Sequence, residues 1–346
     1  MRALTFHAVH SIHHESVADP ILEAPEDALV AVELAGLCGS DLHVWHGRET
    51  GLDTGTVMGH ELVGRIVACG AGVRRIVVGA RVVAPFTTCC GACFFCRRGL
   101  SARCPAGRLF GWVQRGVGLQ GAQAERVRVP LADATLVEIE DDLPAERALL
   151  LADVLPTGWH CARMAEVGAE TIAVVLGCGP VGLAAVVAAL EQGARRVFAV
   201  DAVEERLALA ARLGGEPVRL AGDVLGVVRD ATEGRGADAV LEVVGSPEAA
   251  RLAFDLVRAG GVVSIAGVHH GERFPISPVE AYERNLTLRI GRCPARSLME
   301  GLLPLLRRRA DLAAIVTHRP PLSDGPDAYR RFDLKQDGCI KVAFTV

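Results

Sequence analysis

Val174-Val175-Leu176-Gly177-Cys178-Gly179-Pro180-Val181-Gly182 is the stretch that decides the fold class of this 346-residue chain. It has the pattern G-x-G-x-x-G, follows an apolar run typical of a strand, and opens a predicted helix, Pro180–Gln192. Gly177 permits a tight turn, Gly179 lets a pyrophosphate approach the backbone, and Gly182 lets helix and strand pack closely. The N–H groups at the helix start would face the phosphates. The stretch predicts a dinucleotide-binding βαβ unit; the alternative is a structural βαβ unit without a ligand.

An acidic residue follows the next predicted strand, Arg196–Val200. Asp201 lies there, 24 residues after Gly177. Its carboxylate can accept hydrogen bonds from both ribose hydroxyls of NAD and would repel the 2′-phosphate of NADP. Arg206, five residues further on, could touch the same ribose or be a solvated surface charge, and both possibilities stay open. We therefore expect NAD, with these cofactor-binding residues: Gly177, Gly179, Pro180, Val181, Gly182, Asp201 and Arg206.

Strands and helices alternate from about Thr157 onward, whereas the preceding part has short apolar runs separated by glycines and charged turns. Alternating β and α units predict a parallel sheet covered on both faces. A predicted helix, Pro247–Arg258, starts with proline and is expected to end at Gly260-Gly261. The other predicted elements are strands Ala28–Leu34, Glu61–Ala68, Ala80–Ala84, Thr171–Leu176, Asp238–Val244, Val262–Ala266, Leu286–Ile290 and Cys339–Val346, and helices Val203–Leu213 and Ser297–Arg309.

Charge and composition exclude several classes of protein. The net charge of −4 gives no basic field for nucleic acid or an anionic membrane. Thr171–Leu190 is uncharged and long enough to mimic a membrane span, but three glycines and a proline interrupt it. The start of the chain, Met1–His7, has no apolar signal segment, so we expect a cytoplasmic protein. In a reducing compartment, clustered cysteines are more often metal ligands than disulfides.

Four of the eleven cysteines are close together in the sequence. Cys90, Cys93, Cys96 and Cys104 have the spacing C-x2-C-x2-C-x7-C, which predicts a closed tetrahedral zinc site that stabilises a loop. Cys89 is adjacent and could compete with Cys90. A zinc-ribbon nucleic-acid module is disfavoured, because two separate C-x2-C pairs are absent and the chain is acidic.

Two further motifs precede this loop: Cys38-Gly39-Ser40-Asp41-Leu42-His43 and Gly59-His60-Glu61. Together with the cysteine loop and the glycine turn, they resemble the zinc-dependent medium-chain alcohol dehydrogenase family over essentially the whole chain. The resemblance implies an α/β protein in which a Rossmann doubly wound parallel sheet, residues 157–292, is inserted in a GroES-like β-rich catalytic domain, residues 1–156 and 293–346.

The resemblance also implies a catalytic zinc ion. Cys38 and His60 would be two of its ligands. Asp153 would be the third, because Leu151–Gly158 resembles the L-x-D-x-x-x-T-G pattern of bacterial members, while Cys161 is treated as a core residue. Glu61 resembles a fourth, displaceable ligand of some members, and its alternative is an electrostatic role beside the ligands.

The resemblance further implies hydride transfer between an alcohol and NAD, with one catalytic and one structural zinc ion. Ser40 and His43 would form the proton relay, and Asp41 would orient His60. Val268 would lie beside the nicotinamide, and Lys335 could reach the cofactor. The expected partner is a small alcohol or aldehyde. The family forms homodimers or homotetramers, and residues 269–283 could build that contact.

Other activities remain open. A formaldehyde dehydrogenase or dismutase is the first alternative, followed by polyol and threonine dehydrogenases. A non-catalytic protein on the same fold is disfavoured, because the zinc ligands and the relay residues are all present.

Overall fold

The chain folds into two compact units in the computed structural model, which describes residues 1–271 and 273–346. One unit comprises Met1–Pro156 and Pro294–Val346, and the other comprises Thr157–Cys293. The second junction lies one residue later than predicted, because Cys293 stays with the segment that follows the last strand of the second unit.

The first unit is built mainly from antiparallel strands. Its chain runs through β1 (Arg2–Ala8), β2 (Ser11–Ser16), β3 (Ala28–Leu37), α1 (Asp41–Trp45), β4 (Thr56–Val57), β5 (Leu62–Cys69), β6 (Arg81–Ala84), α2 (Phe94–Arg97), β7 (Trp112–Gln114), β8 (Val117–Leu119), β9 (Arg126–Val129), α3 (Ala132–Thr135), β10 (Val137–Glu138) and α4 (Ala145–Leu150). Helix α5, Val154–Met164, then runs across the junction into the second unit.

The second unit contains β11 (Ile172–Leu176), α6 (Pro180–Glu191), β12 (Arg196–Asp201), α7 (Glu204–Arg212), β13 (Glu216–Arg219), α8 (Val224–Ala231), β14 (Ala237–Glu242), α9 (Pro247–Leu256), β15 (Val257–Ile265), α10 (Pro278–Glu283) and β16 (Thr287–Ile290). Its six strands are all parallel, in the order β13-β12-β11-β14-β15-β16. This confirms the predicted doubly wound sheet. Strand β11, which carries the glycine turn, lies in the middle, so all five of its residues are buried.

The chain returns to the first unit through α11 (Ala295–Arg308), α12 (Gly325–Asp333) and β17 (Val342–Thr345). Strand β17 completes a sheet in the order β10-β6-β5-β3-β17, in which β9 also pairs with β3. The antiparallel register sets Val342 opposite Leu37. The last residues of the chain are thereby placed beside the segment that leads from β3 to Cys38.

One predicted helix end is wrong. Helix α9 stops at Leu256, and Val257 already belongs to β15, so the two glycines lie inside a strand instead of ending the helix. The register shifts there, with Ala237 opposite Val257 and Ala239 opposite Val262. The residues between form a bulge, in which Gly260 has a φ of +69° and donates its N–H to Arg284. Glycine suits this bulge because other residues rarely adopt a positive φ.

Strand β13 and helices α8 and α10 of the second unit were not predicted. Strand β13 contains Pro217 and charged residues, so it lacks the apolar alternation that marks a strand. Helix α8 begins at an Asp223 cap, whose side chain accepts the N–H of Gly226. Among the described residues, none of the helices is long and apolar enough to cross a membrane.

Candidate active site and metal sites

Three side chains expected to bind zinc meet in the first unit. Cys38 follows β3, His60 precedes β5, and Asp153 precedes α5. The Cys38 Sγ lies 3.4 Å from Asp153 Oδ2, and His60 Nε2 lies 3.7 Å from the same oxygen. All three residues are less than one-tenth exposed. One thiol, one imidazole and one carboxylate at this spacing fit a zinc ion and leave it an open coordination position.

Asp41 and Ser40 surround the imidazole of His60. The Asp41 carboxylate lies 3.4 Å from His60 Nδ1 and also accepts the backbone N–H of Cys38 at 2.9 Å. The Ser40 hydroxyl lies 3.3 Å from His60 Nε2. His43 is on the same short helix, α1, and its backbone N–H donates to Ser40 O. Because Nδ1 of His60 faces the Asp41 carboxylate, Nε2 is the ring nitrogen that faces the candidate metal ligand Asp153.

Two of these donor groups, the Cys38 thiol and the His60 imidazole, have raised pKa values. Burial raises the pKa of the Cys38 thiol, and the charge of Asp153 raises it further. Burial by itself would lower the pKa of His60, but the carboxylates of Asp41 and Asp153 hold this pKa well above its usual value. A cation that binds to these donors must therefore displace protons, which couples metal binding to pH.

A buried ion pair adjoins this pocket. Glu61 and Lys341 are both fully buried, and the ammonium lies 2.6 Å and 2.5 Å from the two carboxylate oxygens. Lys341 also donates to Leu37 O at 3.0 Å. A Cβ at Gly36 would lie 2.0 Å from Glu61 Oε2, so the glycine makes room for the carboxylate. A Glu61 oxygen comes within 4.8 Å of the donor atoms of Cys38, His60 and Asp153.

Sequence reasoning missed Lys341, although a signal was present. It is one of only two lysines and stands in an apolar run, Cys339-Ile340-Lys341-Val342-Ala343-Phe344. A lysine there needs a buried acid as its partner. Lys335, by contrast, is exposed in the turn after α12.

The cysteine loop brings the sulfur atoms of the four predicted ligands together. The Sγ atoms of Cys90, Cys93, Cys96 and Cys104 all lie within 4.8 Å of one another. The pKa of Cys90 is lowered to about 7, mainly because its sulfur accepts a hydrogen bond from the backbone N–H of Ala92. The lowered pKa favours the thiolate. Cys89 lies outside this group, and its thiol contacts Ala134 O at 3.5 Å. The four sulfur donors fit a closed zinc site.

Removal of one of these sulfurs should destabilise the loop. We expect Cys93→Ser to lose one zinc ion and to lower the melting temperature by about 5–10 °C, the shift that follows from roughly 2–3 kcal/mol. The reason is that α2 buries none of its residues and has little core of its own. Metal analysis and thermal unfolding measure both effects, with Cys89→Ser as the matched control. Unchanged zinc content and melting temperature in Cys93→Ser would contradict a structural zinc site.

The glycine turn has the geometry that the sequence predicts. Gly177 has a φ of +91°, and a Cβ on Gly182 would lie 1.7 Å from Gly177 O, so only glycine fits. Gly179 caps α6, whose first residues are Pro180 and Val181. Asp201 accepts the N–H of Cys178 at 2.6 Å. The predicted acid is therefore held directly against the turn.

Arg206 is not a solvated surface charge. Its side chain is 14% exposed, and its guanidinium lies 3.8 Å from the Asp201 carboxylate. Its Nε is buried and has no hydrogen-bond partner within the described part of the chain. Val268, the residue predicted beside the nicotinamide, is 45% exposed after β15. Sequence reasoning missed the fully buried Glu242, which accepts the N–H groups of Val244 and Gly245 at 2.7 Å and contacts His269 at 2.9 Å.

The chain matches two family models, an alcohol dehydrogenase GroES-like domain over residues 24–141 and a zinc-binding dehydrogenase over residues 180–308. It is 41% identical over 343 residues to zinc-type alcohol dehydrogenase B of Aspergillus flavus, covering 96% of this chain and 79% of that protein. It is 46% identical over 292 residues to a medium chain reductase/dehydrogenase of an Acremonium species, covering 82% and 98%.

The chain is also similar to a solved structure. Alcohol dehydrogenase TADH from Thermus sp. ATN1 has a TM-score of 0.93 and 38% identity to this chain, covering 100% of both chains. The expected GroES-like and Rossmann parts of the chain are confirmed.

Proposed function

Because the chain belongs to the zinc-dependent medium-chain alcohol dehydrogenase family and is an alcohol oxidoreductase, we propose that it transfers hydride between an alcohol and NAD, with one catalytic and one structural zinc ion. The observation that carries this proposal is the buried group of Cys38, His60 and Asp153, which offers one sulfur, one nitrogen and one oxygen donor. Three protein ligands leave a fourth position for the substrate oxygen.

Several residues of the first unit would have distinct roles in the proposed reaction. Cys38, His60 and Asp153 would hold the zinc ion, and the chemistry it would supply is that of a Lewis acid for the alcohol or carbonyl oxygen. Asp41 keeps the imidazole of His60 in place by facing its Nδ1. The Ser40 hydroxyl can both accept and donate a proton, and it lies beside His60 Nε2, where it would take the proton of the alcohol. His43, on the same helix, would pass that proton to solvent.

The second unit would bind NAD. The N–H groups after Gly179 and the dipole of α6 favour the pyrophosphate, while Asp201 would bind the adenosine ribose through its carboxylate. The chemistry that NAD would supply when bound is acceptance of hydride at its nicotinamide. Arg206, beside Asp201, is placed to contact the same part of the cofactor.

Asp201 should determine the choice between NAD and NADP. We expect Asp201→Asn to raise KM for NAD and to shift the kcat/KM ratio toward NADP by roughly 10- to 100-fold, since a hydrogen bond to a charged group contributes about 1.5–3 kcal/mol. Asparagine can still offer its single oxygen to the N–H of Cys178, while the N–H of Val203, which Asp201 also accepts, would lose its partner. Steady-state kinetics with both cofactors measure the ratio, and Glu216→Gln on β13 is the control. An unchanged ratio in Asp201→Asn would place the ribose elsewhere.

We also propose a homo-oligomer in a compartment that keeps thiols reduced, such as the cytoplasm. Cysteines such as Cys69, Cys161 and Cys178 are not in disulfide bonds, which suits such a compartment. Strand β16 lies at the edge of the sheet, with Leu288 42% and Ile290 57% exposed, and α10 exposes Val279 and Tyr282. An apolar edge strand favours pairing with a second copy. Of residues 269–283, Glu272 lies outside the described residues. The native mass in solution tests the oligomer.

A further inference from the structure

A third group of side chains with potential metal-ligand atoms lies on the hairpin of β1 and β2, apart from the Cys38 and Cys90 sites. His7 is on β1, and His13 and Glu15 are on β2. One donor atom of each lies within 4.8 Å of the others. The strand register sets Thr5 opposite His13. Alternate residues of a strand share a face, so these three side chains are on one face and His14 is on the other.

The hairpin already holds these groups together. His7 Nε2 lies 2.8 Å from Glu15 Oε1, and the rings of His7 and His13 stack with their centroids 4.0 Å apart. The Thr5 hydroxyl donates to the same oxygen of Glu15 and limits its freedom. The side chains of His7 and Glu15 are 30% and 39% exposed. The donors are therefore partly ordered before any ion arrives, and solvent can still reach them.

The donor set fits a transition-metal ion. Two imidazoles and one carboxylate are a common zinc set, with water at the fourth position. Donor atoms of a tetrahedral zinc site lie roughly 3.3 Å apart at zinc–nitrogen distances of about 2.0–2.1 Å. The three donors, which lie within 4.8 Å of one another, would have to move closer to reach that distance. The negative charge of Glu15 would offset part of the charge of the ion.

We propose that His7, His13 and Glu15 form a third metal site, which binds Zn²⁺ or a similar divalent transition-metal ion more weakly than the two cysteine-containing sites. It contains no thiolate and is open to solvent, whereas the other two sites use soft sulfur donors. An ion bound there joins β1 to β2. Because it binds the folded hairpin only, it raises the melting temperature as free metal increases.

The test uses the holoprotein that retains its tightly bound zinc after dialysis in metal-free buffer. Equilibrium dialysis against micromolar to millimolar ZnCl2, followed by metal analysis, should find one further zinc ion per chain. His13→Ala should weaken this binding by at least about tenfold, since loss of even an outer partner of a metal ligand weakens affinity 10- to 100-fold. His14→Ala, which removes the neighbouring imidazole on the opposite face, should bind the ion as the unmodified chain does.

Thermal unfolding provides a second readout. Added ZnCl2 should raise the melting temperature of the unmodified protein and of His14→Ala, and should raise that of His13→Ala less at each zinc concentration. Absence of a further zinc ion up to millimolar concentration would overturn the proposal. Equal zinc binding by His13→Ala and the unmodified chain would also overturn it. Alcohol oxidation should be unaffected by His13→Ala, so this test is independent of the proposed activity.

Discussion

Lys341→Met should lower the free energy of unfolding by about 3–5 kcal/mol, the usual loss when one partner of a buried ion pair is removed. Methionine keeps the length and most of the apolar stem of lysine but removes the ammonium that lies 2.5 Å from Glu61 Oε2. The carboxylate would then remain fully buried without a counter-charge, and Leu37 O would lose its donor. Urea unfolding measures the loss.

Two variants isolate the cause of this loss. Lys335→Met removes the other lysine, which is exposed, and should change stability by no more than about 0.5 kcal/mol. The double variant Glu61→Gln with Lys341→Met should recover much of the loss, because no charge remains buried. If Lys341→Met were as stable as the unmodified chain, the ion pair between Glu61 and Lys341 would not stabilise the fold as its geometry indicates.

The loss in Lys341→Met should depend on pH. Burial raises the pKa of Glu61, and the positive charge of Lys341 opposes that rise. Without Lys341 the folded-state pKa rises further above the unfolded-state value. The folded state of Lys341→Met is then favoured at low pH, where the Glu61 carboxyl is protonated. This contribution to stability is lost as pH rises through the folded-state pKa of Glu61. The deficit should therefore grow from acidic to neutral pH.

Cys38→Ser should reduce alcohol turnover by at least about 1000-fold and leave the fold intact. Serine replaces a soft thiolate with a weak hydroxyl ligand, so the group of Cys38, His60 and Asp153 loses its strongest zinc donor. Lewis-acid stabilisation of several kcal/mol is then lost, and about 4 kcal/mol corresponds to roughly a 1000-fold change in rate. Zinc content should fall by one ion per chain.

Cys161→Ser is the matched control for this loss. Cys161 is also fully buried, but its Sγ lies 3.3 Å from Ser264 Oγ and outside the group of metal donors. It should keep both zinc ions and most of the activity. Full activity in Cys38→Ser, or loss of zinc in Cys161→Ser, would mean that the ligands are assigned to the wrong cysteine.

Local features of the fold could be predicted from the sequence. The turn at Gly177 and the cysteine loop involve residues close in the chain, so their spacing alone restricts their geometry. The pairing of Glu61 with Lys341 spans 280 residues and depends on β17 lying beside β3, which no local pattern specifies. The end of α9 was wrong for a related reason, because the bulge at Gly260 arises from pairing with β14.

The environment of Arg206 also could not be predicted without the fold. From the sequence, its guanidinium was equally suited to solvent and to the ribose, whereas in the structure it lies beside Asp201 with little exposure. Only the resemblance to a family indicates Cys38, His60 and Asp153 as ligands, since each alone is a common core or surface residue. What brings them together is the meeting of three chain segments around one buried point.

We propose that a zinc ion held by Cys38, His60 and Asp153 would enable this chain to oxidise alcohols with NAD. The most direct measurement is NADH formation across primary, secondary and polyol alcohols, with zinc content determined before chelation, after chelation and after zinc is restored. We expect two tightly bound zinc ions per chain, NAD reduction with at least one alcohol, loss of this activity on chelation and its return with zinc. A protein that carries both zinc ions and reduces NAD with none of these alcohols would contradict the account.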